Sequence, residues 1–519
     1  MTTALPQPVY ADSSATSPDD RLWEVAELFK AALPPGELRA FSVHGLDRLD
    51  LPVEIASFQF PADHSAGPVQ FDGFGYGLSQ AEATVGAFGE LTESAHCERD
   101  LSSREFVEGS YDEVVQAFGP RGVVDPLTLC LPAGSAYSPS QPLSWTHTVR
   151  WRTGERVLLP VEFAAVGRHQ LRGRQPLITT ITNGLGAGLS TDQALAHGLL
   201  ELLQRDGNCT TFRALDRGIV IERDEIADEG VRALFDRLEA AGLQMQAKLA
   251  STEFGMVNAY VIGRDVQGAA MSLQATACGE AAHLDRERAL RKAAVEFAAA
   301  RSRKAFMHGP LDRIAEVAPD WYLPHYLEHF DPAAEEPRAL EAMCQWVQKD
   351  QHELETLLAE TVFAERQHVR LSELPTVPAA SIADPADRCE AICSRLEAEG
   401  LEVLLVDSSP QHDRDGEATP VVALRAVVPG LEGETMSYGR LGERGVQRLL
   451  QRGVDFVGLG EPTGSRLPVL LTNEAQERLG GPAWFDPQRA ADVVGDHYAL
   501  YREPASHAVP VTLQQRSET

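Results

Sequence analysis

The stretch from Leu177 to Arg213, LITTITNGLGAGLSTDQALAHGLLELLQRDGNCTTFR, limits most sharply what this chain can fold into. It opens on Leu177 to Thr182, a run of Ile and Thr that predicts a strand, since β-branched side chains fit a pleated surface. Asn183 leads into Gly184-Leu185-Gly186-Ala187-Gly188, where alternate glycines let backbone N–H groups approach a ligand closely. Ser190 with Gln193 has the capping-box pattern, so a helix begins there with its exposed N–H groups facing the glycine loop. Leu195, Leu199 and Leu202 form its apolar row, while His197, Glu201 and Gln204 form a separate polar row three and four residues apart. Two readings fit: a glycine-softened loop before a helix with one solvated face, or a polar row that serves a site.

A helix built the same way lies earlier, in Phe71 to Asp100 (FDGFGYGLSQAEATVGAFGELTESAHCERD). Gly73, Gly75 and Gly77 approach it, and Ser79 is placed to cap it. Gly86 and Gly89 in its interior each cost about 1 kcal/mol against alanine, which predicts a buried helix with another backbone pressed against it. Glu90 and Glu93 then sit one turn apart with little exposed surface. Buried carboxylates are costly unless compensated, and a bound divalent cation is the usual remedy.

Composition narrows the class. A chain of 519 residues with 43% hydrophobic and 24% charged residues has the make-up of a soluble globular protein of one large body or two to three domains. Its net charge of −30 disfavours nucleic acid or an anionic membrane as partner while leaving room for a local basic pocket. No apolar run approaches the ~20 residues that span a bilayer. The N-terminus has neither the basic nor the apolar region of a secretory signal, so a cytoplasmic location is expected. Seven cysteines without a C-x-x-C pair make neither a disulfide framework nor a zinc ribbon, and Cys389 with Cys393 reads as helix packing. A phosphate loop of the G-x-x-x-x-G-K-[ST] type, a G-x-S-x-G elbow and an H-E-x-x-H helix are all missing.

In chain order, residues 1–20 are expected to be disordered, and Leu22 to Leu33 to be helical up to Pro34-Pro35-Gly36. His44-Gly45 reads as a turn before a strand at Val53 to Phe58. Thr146 to Ala165 predicts a hairpin turning at Thr153-Gly154. Asp224 to Ala241 is helical, with strands at Gln244 to Leu249 and Ala259 to Gly263. Cys278 to Phe306 carries the apolar row Ala289, Leu290, Ala293, Ala294, Phe297 and Ala298, flanked by Lys292, Glu296 and Arg301. Lys292 and Glu296 could equally form a surface pair four residues apart. Residues 310–370 read as a helical insertion or lid. Asp384 caps a helix that ends at Gly400, and strands follow at Glu402 to Asp407 and Val421 to Val428. Residues 447–519 form a C-terminal extension, with one helix near Pro487 to Leu500 and a polar tail. No tandem repeat is visible. Folded together, these elements predict an α+β protein whose antiparallel sheets carry three acidic helices.

Taken in order, the motif blocks resemble the YcaO family. Phe74-Gly-Tyr-Gly77 and Phe88-Gly-Glu-Leu-Thr-Glu93 are similar to its G-K-G approach and E-x-x-E helix. Asn183-Gly-Leu-Gly-Ala-Gly188 and Glu201-Leu-Leu-Gln-Arg-Asp206 resemble its N-G-x-x-A-G loop and its second acidic helix. His283-Leu-Asp285 with Ala289, Lys292, Glu296 and Arg301 keeps the spacing of a third block, and Val428-Pro-Gly-Leu431 with Tyr438-Gly-Arg440 resembles the closing segment. The likeness covers about Leu38 to Val446, and residues 21–446 are taken as the family domain.

The resemblance implies ATP-dependent activation of a backbone amide in a ribosomally made precursor peptide. Glu90, Glu93, Glu201, Gln204 and Glu296 would hold Mg2+, and Ser79, Asn183, Arg205, Lys292 and Arg301 would bind ATP; no catalytic residue is assigned. A side chain of Cys, Ser or Thr as nucleophile gives an azoline, a sulfide donor a thioamide, an amine an amidine. Tyr76 stands where the family often has Lys, Ser94 and Lys292 where Arg is usual, and Gln204 where Glu is common. The chain lacks a proline-alternating tail and a fused peptide-clamp domain. A thioamide or amidine is therefore favoured over an azoline, with a TfuA-like or peptide-clamp protein as partner and a homodimer among the allowed assemblies. Two other readings stand beside this one: a non-catalytic scaffold of the same fold that binds a peptide or partner, and a carboxylate-based metal-dependent hydrolase.

Overall fold

The computed structural model describes residues 17–61, 69–331 and 334–518. Residues 1–16 of the expected disordered tail lie outside them, but its last residues do not: Ser17 and Asp20 form a capping box that starts the helix Pro18–Ala32.

Three strand–helix units make up the body. The strand Gln70–Tyr76 lies beneath the first acidic helix, Gln80–Ser103; Leu185–Gly188 lies beneath the second, Thr191–Asn208; Cys278–His283 lies beneath the third, Arg286–His308. Glycine is what lets strand and helix touch. A Cβ on Gly75 would sit 1.7 Å from the Ala83 carbonyl oxygen, one on Gly186 2.1 Å from that of Ala194, and one on Gly279 2.0 Å from that of Ala293. No side chain fits at such separations, so these strands carry glycine where a strand interior would normally exclude it. From the helix side, a Cβ on Gly86 would come within 3.1 Å of the Gly75 Cα, the close approach expected of it. Gly89 meets only the Phe29 ring at 3.6 Å, an ordinary contact.

The glycine run after Asn183 is thus a strand rather than a loop, paired with Val422–Val427. Leu177 to Thr182, expected as the strand, has no ladder partner. Burial of the Leu177 and Ile178 side chains and donation from the Arg425 guanidinium to the Ile181 carbonyl hold it instead, overriding its propensity.

The three units repeat in register, a repeat that the long insertions between them hide from the sequence. Ser79, Ser190 and Asp285 cap the three helices, and Glu90, Glu201 and Glu296 each follow eleven residues on. The units also close a ring. The first helix packs on its own strand and on Leu185–Gly188, the second on its own and on Cys278–His283, and the third on its own and on Gln70–Tyr76.

The sheets that carry this ring are antiparallel, as expected, apart from one pair. Glu37–Ser42, Val53–Gln59 and Gln70–Tyr76 form a three-stranded sheet. Pro142–Arg150 and Arg156–Pro160 form the expected hairpin within a larger sheet that continues through Leu404–Asp407 and Val422–Val427. A five-stranded sheet runs from Cys278–His283 through Val257–Asp265, Leu243–Ser251 and Ile219–Glu222 to Gln367–Arg370, whose pairing with Ile219–Glu222 is parallel. The fold is α+β.

The helices Leu311–Ala315, Tyr322–His329, Pro337–Val347 and Gln351–Leu358 lie in the segment expected as an insertion or lid, and Met343, Cys344, Trp346, Leu354 and Leu358 share a core with Phe212, Tyr260, Ala499 and Val509. This segment is therefore packed between the five-stranded sheet and the C-terminal residues. The polar tail is a helix, Ala508–Glu518; Ala508 and Val509 bury its start, which composition alone did not show. Cys389 and Cys393 lie 4.0 Å apart in the core, as packing residues. Among the described residues no helix is long and apolar enough to cross a membrane.

Candidate active site

The ring of helices turns the repeated glutamates toward one cleft. Each helix starts at a fixed height because its cap holds it: Ser79 accepts from the Glu82 amide, Ser190 from Gln193, and Asp285 from Glu287 and Arg288. In the first two units the reciprocal bond reaches one residue further back than a capping box does, from Leu78 N to Glu82 and from Leu189 N to Gln193. Three turns on, the Phe74 amide donates to Glu90 at 2.7 Å and the Gly184 amide donates to Glu201 at 3.0 Å. In the third unit the Tyr76 hydroxyl donates to Glu296 at 3.0 Å.

These carboxylates share one electrostatic environment. Burial among protein atoms pushes the Glu90 carboxyl up to about 7, against the Phe74 amide and the Arg303 charge, and the neighbouring Glu201 adds to the rise. Water still reaches Glu90, so it lies on the floor of a cleft rather than in the core. Glu93 is pushed well above the usual carboxylate range by burial, then by Glu201 and Glu90, with Lys292 opposing. Glu296 is raised by burial, with Lys292 and Arg303 opposing. The Tyr76 phenol is raised by burial and by Glu296, so it stays a neutral donor.

Among the described residues, no three His, Cys, Asp or Glu side chains converge closely enough to enclose a metal ion. The carboxylates of Glu90, Glu201 and Glu296, spread over three helices, suit Mg2+ with a polyphosphate, because Mg2+ is usually held by one or two carboxylates plus phosphate oxygens and water. The carboxyl groups are raised by burial first and by neighbouring carboxylates second, and a divalent cation relieves both costs.

The other sequence-predicted residues divide. Lys292 is exposed beside Glu93 and Glu296 and makes no ion pair among the described residues, so it is not the surface partner of Glu296. Arg205 lies 3.7 Å from Glu201 and 3.9 Å from Glu280. Asn183 immediately precedes the Gly184 amide that holds Glu201. Gln204 is buried, with its amide nitrogen 3.5 Å from Glu280. Ser79 is occupied as a cap and donates to Asp19 at 3.0 Å.

Arg301 is not brought to the cleft. It is fully buried, with Nε 2.7 Å from Asp47 and a terminal nitrogen 2.8 Å from Asp265. Arg301→Ala is expected to cost about 3 kcal/mol of stability, because it takes buried Asp47's ion-pair partner away and leaves Asp265 with Arg48 alone. Nucleotide affinity of the folded protein should be unchanged, and urea unfolding beside a nucleotide titration checks both.

The structure adds residues that the sequence reading passed over. Arg303 lies 3.8 Å from Glu503 and also faces Glu296, Glu90 and Tyr76; the signal was its position seven residues after Glu296, two turns along the same helix face. Glu280, next to Gly279 in the third glycine strand, accepts from Asn208 and lies near Arg205 and Arg213. His197, beside Lys292, is lowered to about 4 by burial and so is a neutral ring.

Such a site, acidic helices around a cleft edged by cations, has the chemistry that suits a nucleotide polyphosphate with a divalent metal. The family model described as YcaO cyclodehydratase, ATP- and Mg2+-binding, matches residues 74–432, and the chain belongs to the YcaO family. Its cofactors are ATP and Mg2+, and its class of activity is ATP-dependent modification of peptides.

A protein in the tfuA 3′ region of Rhizobium leguminosarum bv. trifolii is 24% identical over 443 residues, spanning 83% of this chain and 93% of that one. The structure of YcaO from Methanopyrus kandleri bound with AMPPCP and Mg2+ superposes with a TM-score of 0.54 at 21% identity, covering 82% of this chain and 94% of that one. A heterocyclase in complex with substrate and cofactor gives a TM-score of 0.57 at 13% identity, covering 85% of this chain and 56% of that one. These structural likenesses concern the fold.

Proposed function

We propose that this chain uses Mg-ATP to phosphorylate the oxygen of a peptide backbone amide while a nucleophile attacks its carbonyl carbon, in a ribosomally made precursor peptide. The observation that carries this reading is the set of three glutamates, Glu90, Glu201 and Glu296, at one register on three helices that ring a single cleft.

ATP bound with Mg2+ supplies the phosphoryl group that turns the amide oxygen into a leaving group. The chain's own part is positioning and charge. Glu90, Glu93, Glu201 and Glu296, with the Gln204 carboxamide, take the metal ions, and the Phe74 and Gly184 amides and the Tyr76 hydroxyl fix three of those carboxylates. Lys292, Arg205, Arg303 and Asn183 would hold the phosphates. Ser79 contributes through its place at the head of the first helix, and Arg301 supports the third from behind.

Lys292 acts as a point charge, so its shape matters less than its sign. Lys292→Arg is expected to bind Mg-ATP like the parent, and Lys292→Ala roughly tenfold more weakly, the loss of one charged contact. Dissociation constants for the three proteins decide it; an unchanged alanine variant would return Lys292 to the solvated surface.

For the product, a thioamide or amidine is favoured over an azoline. Residues Ala508–Glu518 fold as a helix packed on the body. The tfuA context of the Rhizobium relative supports a TfuA-like partner that delivers an external nucleophile. The second reading is an azoline-forming cyclodehydratase, favoured by the description of the family model. Mass spectrometry of the precursor peptide after co-expression with the neighbouring genes separates them. Exchange of oxygen for sulfur, or loss of water with a new amine cross-link, supports the first. Loss of water confined to Cys, Ser or Thr positions, without sulfur, establishes the second.

A further inference from the structure

We infer that the unladdered segment Leu177 to Thr182 is the strand on which an extended peptide docks by backbone pairing, its end directed into the cleft. The inference rests on the proposed peptide substrate and adds where that peptide lies.

The segment has the composition of a strand and no strand to pair with. It neither joins a sheet nor forms a helix. Among the described residues, the backbone N–H and C=O groups of Ile178, Thr179 and Thr180 have no hydrogen-bond partner. The Thr180 hydroxyl is buried and likewise without a partner. Thr179 is exposed and Thr180 half-buried, so these unpaired groups form an accessible backbone edge, a ready template for pairing with another chain.

The segment is also anchored at both ends. Leu177 and Ile178 sit in the core at one end. At the other, Arg425 donates to the Ile181 carbonyl, and the Gly184 amide donates to Glu201. Between these anchors, Ile178, Thr179 and Thr180 border a cavity of about 460 Å³ shared with Pro132, Val166 and Arg168. Thr182 precedes Gly184 by two residues, at most ~7 Å of chain. A polypeptide laid along the segment therefore ends within reach of the carboxylates of the cleft.

Strand addition of this kind recognises backbone first and side chains second. That suits an enzyme whose reacting group is a backbone amide. The occupant is an extended, unstructured peptide; the cavity, lined in part by the exposed Arg168, gives one face of it a place for side chains.

The test uses the full chain with Mg-AMPPCP and a displayed library of random 12-residue peptides, whose selected members are labelled with fluorescein. Thr179→Pro and Thr180→Pro each delete a backbone donor and should weaken peptide binding roughly tenfold. The stabilisation that Mg-AMPPCP gives the folded chain should stay the same. On the unsubstituted chain, N-methylation along the peptide should weaken binding with a period of two, and amide exchange at 178–180 should slow when peptide binds. Peptides that bind equally well to the proline variants, without period or protection, would overturn this docking strand while leaving a peptide substrate intact. Failure to select any peptide would overturn both readings.

Discussion

Glu201→Ala and Glu90→Ala are each expected to abolish ATP turnover while the chain stays folded. Both side chains belong to helices held by their caps and by packing on glycine strands, so truncating either leaves the scaffold in place. What is lost is a metal donor opposite another helix, and the Phe74 or Gly184 amide loses its acceptor, a cost of about 1 kcal/mol. Folding should even gain locally, since each removed carboxylate takes away repulsion felt by Glu93. Thermal unfolding with and without Mg-ATP is the readout. The parent should be stabilised by the nucleotide, and the two variants should melt at one temperature with or without it. Nucleotide-dependent stabilisation retained in both variants would remove these residues from the metal site.

Gly75→Ala, Gly186→Ala and Gly279→Ala are each expected to destabilise by about 3 kcal/mol or more, since the new methyl meets helix backbone that cannot turn aside. The separations of 1.7, 2.1 and 2.0 Å leave no rotamer that would relieve the clash. Gly154→Asn is the matched control. It lies at the hairpin turn with φ +68° and nothing within 4 Å, and Asn tolerates that conformation. Urea unfolding of the four variants should separate them cleanly. Alanine variants as stable as the parent would mean that the strands and helices do not press together as described.

These glycines also show how far the sequence could be read. Their density before Ser79 and Ser190 marked two sites of close approach, and the interior Gly86 marked a helix against another backbone. Periodicity and propensity could not say what approached. The strand-prone Leu177 to Thr182 and the glycine run exchange roles because tertiary contacts, helix backbone on one and Arg425 with core burial on the other, outweigh local preference. The caps and glutamates were legible because a cap and an i, i+3 pair are local. Arg301 and Arg303 were not separable, since both lie on one helix and only the buried Asp47 and Asp265 decide which turns inward. Glu280 was missed for a similar reason: it reaches the cleft from a strand, through contacts with Asn208, Arg205 and Arg213, some seventy residues earlier in the chain.

The central claim is that three registered helices form a working Mg-ATP cleft. Isothermal titration calorimetry of the purified chain with AMPPCP, in the presence and absence of Mg2+, tests it most directly. The account predicts saturable binding with Mg2+ that is lost in Glu201→Ala, and little heat without the metal. Absence of nucleotide binding under both conditions would contradict it and leave a scaffold of the same fold; metal binding with no nucleotide binding would point instead to a carboxylate-based hydrolase.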